Sequence, residues 1–162
     1  SQADVLLQAG NLLRRDRFIE GGLREVKYFY PYWQENGLFR QIVISREGEE
    51  FRTDRMEKFD QIAYNIRPMV MASLKAYEVT GNKNFATQAG QIACWFLGKN
   101  AARQQMYDPA TGRCFDGIMS ADRINKNSGA ESTIEALMTI LAVEQNPIAR
   151  KVFYDYYRKQ RG

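Results

Sequence analysis

The residues best suited to chemistry lie between Tyr107 and Glu135. Tyr107-Asp108-Pro109 opens the stretch and Phe115-Asp116-Gly117 follows. Asn125, Asn127, Glu131 and Glu135 close it. Carboxylates accept hydrogen bonds from hydroxyls, and aromatic rings stack on the C–H faces of sugars. An acidic loop ending at a helix start therefore suits a polar, uncharged ligand. Glycosidases use two carboxylates about 5–10 Å apart, one as acid and one as base or nucleophile. Asp116 with Glu131 or Glu135 is the candidate pair. Tyr64 and Arg67, just ahead of a predicted helix at Pro68, are candidate ligand contacts with Tyr107, Asp108, Phe115, Asn125 and Asn127. The chain contains no histidine, which excludes Ser-His-Asp, Cys-His and His-zinc chemistry within it. Acid–base work would fall to carboxylates, Tyr, Lys or Arg.

Each of these residues also has a plain structural reading. Ser128-Gly-Ala-Glu131 has the spacing of a capping box, in which Ser and Glu satisfy the first amides of a helix. Asp108-Pro109 and Asp116-Gly117 are turn pairs. Glu135 lies one turn beyond Glu131, beside the predicted apolar face, where burial would raise its pKa. Trp95 sits mid-helix and reads as core. Asp108 and Asp116 with backbone carbonyls could hold calcium, but the spacing is not that of an EF-hand. The expectation is no metal and no cofactor.

The positioning elements read as mostly helical. Val5, Leu6, Ala9, Leu12 and Leu13 predict a helix over 4–14. Gly21-Gly22 predicts a turn, and 23–35 a helix interrupted at Pro31 and stopped by Asn36-Gly37. Residues 38–53 predict a small β-hairpin turning near Gly48, and 54–60 a charged connecting loop. Pro68 fits the first turn of a helix that Gly81 closes. A second helix runs from about Lys83 to Leu97, closed by Gly98, and the short link makes an αα-hairpin. After the long loop to about Asn127, Ile134, Leu137, Met138, Leu141 and Ala142 mark the apolar face of another helix. Asn146-Pro147 breaks it, and 148–159 forms the last. The prediction is an all-α array of antiparallel helical hairpins with one β excursion.

Three segments carry a family resemblance: Trp95-Phe-Leu-Gly98-Lys-Asn100, Met106-Tyr-Asp-Pro-Ala-Thr-Gly-Arg-Cys-Phe-Asp116-Gly117 and Asn125-Lys-Asn-Ser-Gly-Ala-Glu131-Ser-Thr. They resemble the C-terminal region of a bacterial and archaeal family with glycosyltransferase- or glycosidase-related descriptions. That family is similar to six-hairpin, (α/α)6-toroid glycosidases. The resemblance covers roughly residues 60–145 and barely touches the first 55. It implies a helical fragment of an (α/α)6 toroid that acts on or binds carbohydrate. It further implies a surface that packs against a missing N-terminal part or self-associates. The leading expectation is glycoside hydrolase-like chemistry by a carboxylate pair. The alternative is a non-catalytic helical module binding glycans or a partner protein.

Composition fits one globular domain: 162 residues, 44% apolar and 12% aromatic. The net charge of +4 comes from 23 basic and 19 acidic residues. Part of the excess is Arg150, Lys151, Arg158, Lys159 and Arg161, where cations suit a helix C-terminus, so no nucleic-acid partner is expected. No apolar run approaches the roughly 18 residues of a membrane span. Cys94 and Cys114 form neither a zinc nor a CxxC pattern. A reducing, cytoplasmic location is the expectation.

Overall fold

In the computed structural model, which describes residues 2–160, helix and strand are interleaved. Helix accounts for 58% and strand for 16%, so the fold is mixed α and β and not an all-α toroid. Helical hairpins are present, but strands intervene between them. α1 (Gln2–Leu13) packs on α2 (Asp16–Arg24), α4 (Ile66–Thr80) on α5 (Lys83–Ala93), and α6 (Ala130–Glu144) on α7 (Pro147–Lys159). α4 also contacts α1 and α6, and α5 contacts α7. The strands missed by periodicity are mostly dipeptides. They carry too few residues for an alternating pattern and exist only because a distant segment pairs with them.

Gly21-Gly22 is not a turn but part of α2. A Cβ on Gly22 would lie 2.7 Å from Leu7 Cγ and 2.9 Å from the Ala3 carbonyl. The glycine is there to let α1 approach closely. Gly90 does the same for α5 and α7, with the Ala149 carbonyl 2.6 Å from where its Cβ would be. Beyond α2 the chain continues through a π-helical turn, Glu25–Phe29, into α3 (Tyr30–Glu35). There the Tyr30 N–H bonds to the Glu25 carbonyl. The widened turn immediately precedes Pro31, which has no N–H to continue the regular ladder.

The predicted hairpin is longer than expected. β1 (Gln41–Glu47) pairs antiparallel with β2 (Glu50–Glu57), with Gly48 at φ 64 in the two-residue turn. Residues 54–57, expected as loop, are therefore strand. The long polar segment before α6 is likewise pinned by short pairings. β4 (Tyr107–Asp108) pairs with β5 (Arg113–Cys114), while β6 (Gly117–Ile118) lies between β3 (Gln61–Ile62) and β7 (Ile124–Asn125).

Tyr30, Ile66, Val70, Ile92, Trp95, Phe96, Met106 and Ile118 are among the buried side chains of the core. Trp95 donates its indole N–H to Gln61 Oε1 at 3.1 Å. Gly81 and Gly98 end their helices at positive φ, 70 and 107. Asn146 caps α7 by accepting from the Ile148 and Ala149 amides, both at 3.1 Å. Among the described residues, no helix is long and apolar enough to cross a membrane.

The orientation of α6 reverses the sequence expectation. Its buried face is Ser132, Glu135, Ala136, Thr139 and Val143. Ile134, Leu137, Met138 and Leu141 point outward, 55%, 43%, 47% and 54% exposed. Small side chains let the buried face sit close to its neighbours, and Thr139 satisfies its hydroxyl on the Glu135 carbonyl at 2.7 Å.

Candidate functional site

Of the proposed carboxylates, Asp116 and Glu135 lie along the first two turns of α6 and each already has another partner. Asp116 Oδ1 accepts from the Gly129 amide at 2.8 Å and from the Ser132 hydroxyl at 2.7 Å. Gly129 is the N-cap residue of α6 and has no side chain to accept from the first-turn amides. Asp116 therefore caps the helix from thirteen positions upstream. Its own backbone is fixed as well: its N–H donates to the Asn127 carbonyl at 2.9 Å and its carbonyl accepts from Ala63 at 3.2 Å.

The expected Ser128–Glu131 capping box is absent. α6 begins one residue later than that box requires, and Ser128 Oγ lies 3.3 Å from Thr133 Oγ1 instead. Glu131 is exposed in the first turn, where a negative charge suits the helix dipole. Glu135 is buried and accepts from Arg67 Nε at 2.6 Å. That bond, foremost, holds the Arg67 guanidinium above its ordinary pKa, with desolvation opposing. Exposed Tyr64, in the 3-10 turn Ala63–Asn65, leads into the helix that carries Arg67.

The remaining predicted contacts also serve the loop. Asp108 Oδ1 accepts from the Ala110 amide at 2.9 Å, and its Oδ2 accepts from the Thr111 hydroxyl at 2.7 Å. The Thr111 bond, first, lowers the Asp108 pKa. This is an Asx turn with a side-chain clamp. Asn125 Oδ1 accepts from the Asn127 amide at 3.0 Å in another. Tyr107 and Phe115 are half-buried against the core. Among the described residues, no group of three or more His, Cys, Asp or Glu side chains could hold a metal ion. Both cysteines are free and buried.

Two cavities lie elsewhere. One of about 710 Å³ is bounded by α3, α5, the loop after Gly98 and the end of α7, with Trp33, Trp95, Lys99, Arg103 and Tyr156 among its lining. A second, of about 460 Å³, includes Tyr64 with Phe29, Trp33, Phe39 and Ile62. Neither is lined by Asp108, Asp116, Glu131 or Glu135. The structure thus brings Asp116 and the Arg67–Glu135 pair to the first two turns of α6, with Asp116 and Glu135 outside both of these aromatic-lined cavities. Trp33, Lys99 and Arg103 were missed by sequence reasoning. The only local signal was two cations just beyond the Gly98 helix stop. No protein-family model matches the chain, and no curated protein matches it.

Proposed function

We propose that the chain is a non-catalytic interaction module that pairs with a second copy of itself through the outward face of α6. One observation carries this reading: Ile134, Leu137, Met138 and Leu141 form an exposed apolar stripe at i, i+3, i+4 and i+7. This is the spacing of a helix face that packs against another helix. The stripe contains no charge, so two copies can meet face to face about a two-fold axis without opposing like charges. Glu131 stands at one end only. Antiparallel pairing of two α6 helices would set the two Glu131 carboxylates roughly 20 Å apart, from the rise of about 1.5 Å per residue.

The magnitude is modest. Full burial of such a side chain contributes about 1.5–3 kcal/mol. The half still exposed on each of four residues leaves about 3–6 kcal/mol per copy, or about 6–12 kcal/mol for a symmetric pair. Association costs about 4–15 kcal/mol in lost freedom. The balance spans zero and is at most about 8 kcal/mol in favour of pairing, so the pair is no tighter than about micromolar.

Hydrolysis by Asp116 with Glu131 or Glu135 has less support. Asp116 is spent on the α6 cap and Glu135 on Arg67. Sedimentation velocity across a concentration series tests the pairing. The expected result is a monomer–dimer equilibrium that Ile134→Ser with Met138→Ser abolishes. A monomer up to millimolar concentration, or an equilibrium unchanged by that substitution, would overturn it.

A further inference from the structure

The cavity of about 710 Å³ between α3, α5 and α7 is independent of the α6 stripe and has the size of small-molecule sites. Its lining includes the buried apolar side chains Trp33, Ile92 and Trp95 and the half-buried Leu38. Both indoles have committed their N–H groups, Trp33 to the Phe39 carbonyl at 2.7 Å and Trp95 to Gln61. They therefore offer a ligand only carbon surface. The two buried amides in the lining are committed too. Gln88 donates to the Val26 carbonyl at 2.9 Å, and Asn100 donates to the Trp95 and Gln104 carbonyls at 2.8 and 2.7 Å. Asn100 also accepts from the Ala102 and Gln104 amides at 3.2 and 3.3 Å. The side-chain amides of Gln34, Gln91 and Gln160, which also line the cavity, make no such bonds among the described residues.

Beside these amides the lining carries charge. Lys99 and Arg103 are exposed, line the cavity and have no ion pair among the described residues. The bonds of Asn100 fix the loop that carries them, and Arg103 is held at φ 52, a conformation uncommon for a residue with a Cβ. Among the described residues Glu35 is the one carboxylate in the lining, and Tyr156 is also there. Two cations against one carboxylate leave the rim positive.

We propose that this cavity binds a small amphipathic anion, its aromatic or aliphatic body against the Trp33, Ile92 and Trp95 walls and its acidic head on Lys99 and Arg103. Charge-assisted bonds to the head would fix its orientation, and the dry walls would accept the body.

The test is calorimetric titration of the whole chain with 2-naphthoate and with its neutral analogue 2-naphthalenemethanol. Saturable naphthoate binding is expected, with the neutral analogue about tenfold weaker or more. Lys99→Gln with Arg103→Gln should weaken naphthoate by a similar factor while leaving the alcohol unchanged, and both side chains are exposed enough to be replaced without disturbing the core. Ile134→Ser, on the α6 stripe, should leave naphthoate binding intact. Absence of saturable binding, equal affinity in the double variant, or loss of binding with Ile134→Ser would overturn the assignment.

Discussion

Replacing Asp116 with Ala separates a helix cap from a catalytic acid. Asp116 Oδ1 satisfies two donors, the Gly129 amide and the nearly buried Ser132 hydroxyl. Loss of a side-chain N-cap costs about 0.5–2 kcal/mol. A buried hydroxyl left without its partner adds about 1–3 kcal/mol. Removing a negative charge from the positive end of the α6 dipole adds about 0.3–1 kcal/mol. These overlap, so a total of about 2–4 kcal/mol is expected. A chain of this size shifts its Tm by about 2–4 °C per kcal/mol, which puts the Asp116→Ala transition about 5–15 °C below the parent. Asp116→Asn keeps an acceptor oxygen and loses only the charge, so it should fall within about 4 °C. Circular dichroism melts at pH 7 decide the matter. If Asp116→Ala melts with the parent, the cap reasoning fails, and Asp116 becomes again a carboxylate without a structural explanation.

Two further expectations concern buried groups. Glu135→Gln should destabilise by about 1–3 kcal/mol, short of a fully buried pair because Arg67 is a third exposed, and Arg67→Met with Glu135→Leu should recover much of the loss in urea titrations. Burial pushes both the Cys94 and Cys114 thiols up to about 12, above the roughly 8.5 of a thiol in an unfolded chain. The folded state thus holds these protons more tightly. Its advantage is full below about pH 8.5 and declines as pH rises from there toward 12. Urea midpoints should fall across that range, with a flatter slope for Cys94→Ala. Alkylation at pH 8 should be slow until the protein is unfolded.

Helix existence was legible where local chemistry dictates it. Gly81 and Gly98 stop helices because the left-handed geometry there favours a residue without Cβ, and Asn146-Pro147 starts one. Contacts across the fold were not legible. Gly22 reads as a turn in sequence, and only the 2.7 Å approach of Leu7 shows why it lies in a helix. The Ser128–Glu131 spacing matched a capping box, yet the cap comes from Asp116, which no local pattern links to Gly129. The apolar periodicity of α6 was read correctly as one helix face. It could not say that this face points away from the core, because Ser132, Glu135 and Thr139 make the buried face look the more polar of the two. The dipeptide strands left no period at all.

Cysteine cross-linking tests the proposed pairing most directly, since both native thiols are buried and resist oxidation. Met138→Cys lies midway along the α6 stripe, where a two-fold pairing brings the two copies together. Phe51→Cys, on the exposed β-hairpin, is the control. Mild oxidation at about 100 µM, within the expected affinity range, should convert Met138→Cys to a disulfide-linked dimer while Phe51→Cys stays monomeric. Equal cross-linking of the two, or none at position 138, would contradict the α6 interface.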